Sequence, residues 1–388
     1  MKNNKDKKRK KKILFIENKY EISGGQMVLI NLLRNIDRSI FEPYVVTQRK
    51  GELYNVLREM GVKVMFLRLD FLPVQYNRCP YVSPWGVYKL MKLIKKYDID
   101  IVHSNNLYSN KYGAIAAKIA GIPSVWTIHN EYKKNPILRM LYRITNRVIF
   151  VSKRVGVIFQ DPENNKGRVI YNGADTKKFF KRLPKREDYL RFGIKKGSFV
   201  VGMIARIHPF KGYECLCKSI AIVSKKYPEV VVLALGKTVE GSRYDMSIKG
   251  LIKKLGIEKN FIFGGFEKDV SKIIPLFSIL VLPSVKGEGF PLVILEAQAM
   301  GKPVVSSRIA GVPEMIEEGK NGLMVKPGDY RDIAKKIIIL IEDPDLRKKI
   351  GEAGRKTVNR DFTLKKTVRE TEKLYIEVLN EWKSKKRD

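Results

Sequence analysis

The sequence predicts an α/β chain built from two parallel-sheet domains. Three observations carry that expectation. Short apolar, β-rich runs alternate with longer helical patterns from end to end. A chain of 388 residues with 44% hydrophobic side chains can fill two cores. A charged stretch near the middle then breaks the rhythm before it restarts.

The first repeat of the pattern is a strand at 12–16, a loop at 17–25 and a helix at 26–36. The strand is the apolar run Ile13, Leu14, Phe15 and Ile16, which Glu17 interrupts. Residues 44–47 and 62–67 read as the next strands, and a helix at 87–96 leads into a strand at 99–103. A helix at 114–120 follows, then strands at 124–128, 147–152 and 168–171. The stretch 177–186 is mostly charged and loses periodicity, so the interdomain linker is placed there. Beyond it come a strand at 199–205, a helix at 213–226, a strand at 230–236, a helix at 247–255 and strands at 261–263 and 279–283. A helix at 291–300, a strand at 303–306, helices at 330–341 and 345–359, and an amphipathic segment from 364 complete the pattern. The expected division is a basic tail (1–11), a first domain (12–182), a second (183–363) and a C-terminal helix (364–388).

Charge is the outstanding feature of the composition. Lys and Arg number 76 against 40 acids, a formal +36. Residues 1–185 hold 37 basic and 14 acidic side chains, so the first half carries +23 of it. Such an excess points to a polyanionic partner: nucleic acid, anionic lipid or a phosphorylated substrate. Cys79, Cys215 and Cys217 make no disulfide framework, which fits a reducing compartment, and Cys215 and Cys217 lack zinc-knuckle spacing. The lysine-rich start resembles the head of a signal peptide, but its apolar run is too short, and nothing approaches a bilayer-spanning length.

Three constellations carry chemistry. In the first, Gly287, Glu288, Gly289, Phe290 and Pro291 lead from a strand into the helix 291–300, with Pro in its first turn. That helix is apolar apart from Glu296 and Gln298, so it is buried on most sides, and a lone carboxylate there needs a partner. Ribose hydroxyls would serve. Glu296 lies about six residues inside, roughly 9 Å along the axis, on the order of the span from a ribose to a sugar beyond a diphosphate. The helix N-terminus between the two acids is a natural diphosphate seat. The plainer reading is one buried Glu satisfied by protein and one incidental surface Glu. In the second constellation, Arg206 and Lys211 flank a turn at a strand's C-terminal end, where open α/β sheets bind ligands, and both suit phosphate. In the third, Ser23, Gly24, Gly25 and Gln26 join the first strand to the first helix, and two glycines allow close approach to phosphate, though an ordinary loop has the same look.

His103, with Asn105 just beyond it, and His129 end two strands on the same edge, and a structural role stands beside a catalytic one for each. His208 reads as incidental. The pairs Asp98/Asp100 and Asp343/Asp345 are explained by capping and solvation, so no metal is expected. Residues 133–150 place Ile137, Leu141, Ile144 and Val148 at helical spacing, with Arg139, Arg143 and Arg147 between. Such a basic amphipathic helix can lie on an anionic membrane, or simply pack on the domain.

Together these residues resemble the family 4 retaining glycosyltransferases, which have the GT-B architecture. The likeness is strongest over 200–360, in Arg206, Lys211, Gly212, Pro283, Ser284, the Glu288/Glu296 pair, and the segments 301–305, 311–314 and 321–329. The first half is similar more loosely, at Gly24, Gly25, 127–129, 151–152 and 172–175. It departs at Gln26 and Met27, where the family often has a small residue and an acid, and at His208 and Phe210.

The resemblance implies two Rossmann-like domains facing across a cleft, with the C-terminal helix crossing back to the first. It implies transfer of a sugar from a nucleotide-diphosphate sugar to a hydroxyl, lipid-linked or on a surface glycan, with retention and without a metal. No cofactor is implied, the nucleotide sugar being a co-substrate. Arg206 and Lys211 would neutralise the leaving diphosphate, with Gly25, after Gly24, adding a backbone amide. Glu288 would hold the donor sugar and Glu296 the ribose. Gly289, Phe290, Pro291, Leu292 and Val293 would face the phosphates, and Gly264, Gly265 and Phe266 would flank the base. His129 would stand by the attacking hydroxyl, with His103 and Asn105 as further acceptor-side candidates. The expected setting is the cytoplasm, at the inner face of an anionic membrane. A nucleotide-sugar epimerase or a pyridoxal-dependent phosphorylase of similar architecture is the near rival. A basic nucleic-acid-binding protein is the rival from another class, although no RNA- or DNA-reading module is present.

Overall fold

Seven parallel strands form the first sheet of the computed structural model, which describes residues 9–69, 82–159, 166–237 and 242–386. They are β1 (Lys11–Glu17), β2 (Phe41–Thr47), β3 (Lys63–Phe66), β4 (Ile101–Ser104), β5 (Ser124–Ile128), β6 (Arg147–Phe150) and β7 (Gly167–Val169), in the order β3-β2-β1-β4-β5-β6-β7. Every residue of β4 and β5 is buried. Parallel strands covered on both faces carry no alternation of buried and exposed residues, and the polar ones here, His103, Ser104, Ser124 and Thr127, are buried with the rest. Strand order reverses at β1, which pairs with both β2 and β4. The crevice beyond the C-terminal ends of β1 and β4 is therefore this sheet's ligand position.

The second sheet has six parallel strands, β8 (Val200–Ile204), β9 (Val231–Leu235), β10 (Phe261–Gly265), β11 (Ile279–Leu282), β12 (Val304–Ser307) and β13 (Leu323–Val325). Their order is β10-β9-β8-β11-β12-β13, so its switch point lies between β8 and β11. Helices Tyr213–Lys226 and Tyr330–Glu342 cover the core built on Val201, Met203, Val232 and Val281.

The chain divides into two units, Met1–Tyr171 with Lys365–Asp388, and Asn172–Leu364. The first boundary precedes the one placed from sequence at 182/183. The charged stretch is not a free linker: Phe179 is buried, Lys178 pairs with Asp269 at 3.0 Å, and Arg182 donates to the Ser271 carbonyl at 2.5 Å. The C-terminal helix Leu364–Ser384 returns to the first unit, as expected. Its Leu374 and Tyr375 are fully buried, and Tyr375 packs edge-on against Phe41 with ring centroids 5.8 Å apart. Each large side chain so buried contributes about 1.5–3 kcal/mol.

The helix expected across 133–150 is shorter and faces differently. It runs Pro136–Ile144, capped by Asn135, and stops where Thr145 turns extended; Val148 belongs to β6. Leu138, Leu141 and Tyr142 are the buried face, while Ile137 and Met140 are exposed. Helix Glu52–Glu59 and strand β13 have no counterpart in the sequence reading. Cys215 and Cys217 are free thiols on one helix, and Cys79 lies outside the described residues. Arg9, within the stretch read as a basic tail, binds Asp98 and Asp100. Among the described residues, no helix is long and apolar enough to cross a membrane.

Candidate functional site

In the second unit the site is built where β8 and β11 end. After β8 the chain turns through Ala205 to Gly212. Tyr213 donates its hydroxyl to the Ala205 carbonyl at 2.7 Å, and the Val285 amide donates to the Phe210 carbonyl at 2.9 Å. Gly212 has φ +75, and a Cβ there would lie 2.0 Å from the Pro283 carbonyl oxygen. Only glycine lets this turn press against the end of β11. The consequence is a contact between residues 77 apart in sequence: Lys211 Nζ donates to Glu288 Oε1 at 2.5 Å. Ser284 Oγ donates to the same oxygen at 2.6 Å. The sequence singled out both charged residues but not their pairing.

Arg206 is exposed and makes no hydrogen bond or ion pair among the described residues. His208 accepts from the Phe210 amide and shapes the turn; partial burial and then the two neighbouring cations hold its pKa below the usual value. It adds no positive charge to the loop's two.

Helix Leu292–Ala299 starts one residue later than expected, with Pro291 as its N-cap. The segment leading in is fixed from behind: Gly311 donates its amide to the Gly289 carbonyl at 2.9 Å, and Asn172 Nδ2 to the Phe290 carbonyl at 2.9 Å. The amides of Leu292 and Val293 bond no other group among the described residues, so two donors at the positive end of the helix remain available. One turn on, half-buried Glu296 also has no hydrogen bond or ion pair among the described residues. Burial pushes its carboxyl up to about 7, with Lys178 opposing the rise and Asp269 adding to it. Gly264, Gly265 and Phe266 lie at the end of β10, where the Gly236 amide donates to the Gly265 carbonyl at 2.8 Å. Phe266 is exposed, with Lys237 Nζ 4.5 Å from its ring centroid.

The first unit gathers its candidates at the ends of β1, β4 and β5. Ser23 caps the helix Gly24–Asn35 in a capping box with Gln26. Gly25 lies against the His129 ring, where a Cβ would come 3.5 Å from Cδ2. Asn105 Oδ1 is 3.1 Å from His129 Nε2, and Asn105 Nδ2 donates to the Gly25 carbonyl at 3.2 Å. Burial, and then the charge of Lys19, lower the His129 pKa to about 4, so the ring is neutral at pH 7.

His103 is placed differently from its reading as an acceptor-side residue. It is 2% exposed, with Nδ1 2.5 Å from the Tyr375 hydroxyl and Nε2 2.7 Å from Thr127 Oγ1. Both nitrogens are taken inside the unit, leaving nothing to offer an incoming hydroxyl. The sequence reading also missed Glu17, taken there as the mere end of an apolar run. It is fully buried and accepts four hydrogen bonds, from the Lys19 amide, Gln26, Asn105 and Asn106. The available signal was an acid ending a buried strand at the switch point, in a chain with amides at 26, 105 and 106.

Each unit matches its own family model. Glycosyltransferase Family 4 matches residues 22–178, and Glycosyl transferases group 1 matches residues 185–357. The chain belongs to the family 4 glycosyltransferases. Its two Rossmann-like sheets are those of the GT-B fold, and it is a glycosyltransferase that uses a nucleotide sugar.

Among similar proteins is the UDP-Gal:alpha-D-GlcNAc-diphosphoundecaprenol alpha-1,3-galactosyltransferase of Escherichia coli, 26% identical over 92% of this chain and 95% of its own. The N,N'-diacetylbacillosaminyl-diphospho-undecaprenol alpha-1,3-N-acetylgalactosaminyltransferase of Campylobacter jejuni is 27% identical over 83% and 87%. Of solved structures, Anabaena Alr3699/HepE in complex with UDP and glucose superposes with a TM-score of 0.80 at 24% identity, covering 94% of this chain and 98% of that one. None of these likenesses favours the epimerase, phosphorylase or nucleic-acid readings.

Proposed function

We propose that this glycosyltransferase moves a hexose from a uridine diphosphate sugar to a hydroxyl of a lipid-diphosphate-linked saccharide, retaining the anomeric configuration without a metal. The observation that carries the reading is Glu296, a half-buried carboxyl with no hydrogen bond or ion pair among the described residues and a pKa pushed up to about 7. Such a group is costly unless a ligand supplies donors, and two ribose hydroxyls do so. The diphosphate then meets the amides of Leu292 and Val293, with Arg206 and Lys211 neutralising the charge that develops as it leaves. Glu288 exchanges part of its bond with Lys211 for hydroxyls of the donor sugar. His129 accepts from the attacking hydroxyl, and Asn105 holds its ring; His103 takes no part.

The donor base and the acceptor class are supported by the E. coli relative, whose name gives UDP-Gal and a diphosphoundecaprenol acceptor. The alpha linkages named for both bacterial relatives, set against the α-diphosphate of UDP-hexoses, support retention. A place at the inner face of an anionic membrane is supported by the exposed Ile137 and Met140 beside Lys133, Lys134, Arg139 and Arg143 on a unit rich in positive charge.

A product assay tests the reading. The protein, a panel of UDP-hexoses and a diphosphate-lipid saccharide are incubated with and without chelator, and the new linkage is assigned by NMR. An α-linked product formed equally with chelator is expected. Sugar released without acceptor, a β-linkage, or loss of turnover on chelation would contradict it.

A further inference from the structure

We infer that Glu17 is a positioning residue that fixes which nitrogen of His129 carries the proton. The inference rests on reading His129 as the acceptor-side residue, but its first test needs no turnover.

The chain of contacts is short. Glu17 Oε2 accepts from Asn105 Nδ2 at 2.6 Å and from Gln26 Nε2 at 3.0 Å. Its Oε1 accepts from the Lys19 amide at 2.9 Å and from Asn106 Nδ2 at 2.7 Å. Every partner is a donor, so the carboxylate dictates how each amide is turned. Asn105 points its NH2 at Glu17 and at the Gly25 carbonyl, two acceptors. Its Oδ1 is thereby left facing His129 Nε2 at 3.1 Å. An oxygen there needs a donor, so Nε2 carries the hydrogen. In a neutral ring Nδ1 is then a bare lone pair, and no hydrogen bond among the described residues uses it. Burial keeps the ring neutral at pH 7.

The same carboxylate holds Gln26, whose Oε1 accepts from the Ser23 amide and hydroxyl at 3.2 and 2.5 Å. Glu17 thus fixes both the Gly24–Gly25 turn and the histidine. This accounts for the neutral amide at position 26: an acid there would face Glu17 across about a hydrogen-bond length.

Glu17→Gln changes this pattern in a definite direction. The new NH2 avoids the Oε1 side, where the Lys19 donor is backbone and cannot turn over. It takes the Oε2 side, where it displaces the 3.0 Å Gln26 donor and faces Asn105. Asn105 exchanges its longer 3.2 Å bond to the Gly25 carbonyl for the new donor, flips, presents its own NH2 to His129 Nε2, and the ring proton moves to Nδ1. Gln26→Leu removes a neighbouring donor but leaves Asn105 in place, so the Nε2–H form persists.

The experiment is nitrogen-edited NMR of 15N-histidine-labelled, ligand-free protein at pH 7, with the His129 signals assigned by their loss in His129→Gln among only three histidines. Wild type and Gln26→Leu are expected to show Nε2–H with bare Nδ1, and Glu17→Gln the reverse, with kcat/KM down at least tenfold. Nδ1–H or a charged ring in the wild type overturns the inference, and that spectrum decides the matter even if Glu17→Gln does not fold. A folded Glu17→Gln that keeps Nε2–H also overturns it, because a merely structural Glu17 would lower stability without moving the proton. An inactive wild type with the Nε2–H ring would refute the proposed transfer and leave this assignment standing.

Discussion

Two glutamates near the strand-end edges of the two sheets are held in opposite ways. Glu17, in the first unit, is fully buried and accepts four hydrogen bonds from its own chain. Glu296, in the second, is half-buried with no hydrogen bond or ion pair among the described residues, and burial raises its carboxyl to about 7. Both carry a desolvation cost, and only the first is offset by the protein. The difference separates scaffold from site: a satisfied acid fixes geometry, whereas an unsatisfied one awaits a ligand. The same contrast separates His103, whose nitrogens are both bonded, from His129, whose Nδ1 makes no hydrogen bond among the described residues.

Substitutions sharpen the contrast, beginning with the charge beside the leaving group. Lys211→Ala is expected to lower kcat by about 10²–10³, the usual loss on removing one preorganised group from a developing negative charge. Steady-state kinetics with a saturating donor measures it, and a change below threefold would remove Lys211 from the mechanism. Next, Glu296→Gln is expected to weaken UDP binding by about 10- to 100-fold, the worth of hydrogen bonds to a charged acceptor.

Glu296→Gln also changes how stability depends on pH. The folded pKa of about 7 lies above the ordinary value of 4.5. The wild type therefore loses this group's stabilising protonation as pH rises from 4.5 to about 7. The glutamine variant does not, so its Tm advantage should grow across that window; an unchanged difference would mean that Glu296 is not desolvated. Glu17→Gln should lower Tm instead.

Backbone and surface come after. Gly212→Ala forces a Cβ toward the Pro283 carbonyl at positive φ and is expected to cost about 1–3 kcal/mol; chemical denaturation measures it. Replacing Ile137 and Met140 with Asn should reduce sedimentation with anionic vesicles several-fold and leave turnover on a water-soluble acceptor intact. The smallest effect is Tyr375→Phe, about 1 kcal/mol in stability from one hydrogen bond, with kcat unchanged because His103 is structural. A catalytic defect in that variant would restore His103 as a candidate.

Local patterns were legible in the sequence, and pairings across it were not. The strand–turn–helix at Glu288, the cations at Arg206 and Lys211 and the buried helix with its lone acid follow from spacing over a few residues. That Lys211 reaches Glu288, that Glu17 gathers amides from 26, 105 and 106, and that Tyr375 closes on His103 all depend on which strands lie side by side. Charge misled at 177–186, where basic side chains conceal a buried Phe179. Periodicity misled at 133–150: Thr145 ends the helix there, and the next apolar residue of the pattern, Val148, belongs to a strand.

Calorimetric titration of UDP-glucose, whose esterified diphosphate has no group ionising near neutrality, tests the central claim most directly, run between pH 6 and 8 in buffers of different ionisation enthalpy. Ribose hydroxyls favour the carboxylate of Glu296, so binding should release a fraction of a proton near pH 7. Affinity should rise with pH toward about 7 and then level, and Glu296→Gln should abolish both effects. Proton-neutral binding in the wild type, or the same proton release from the glutamine variant, would contradict a nucleotide seated on Glu296.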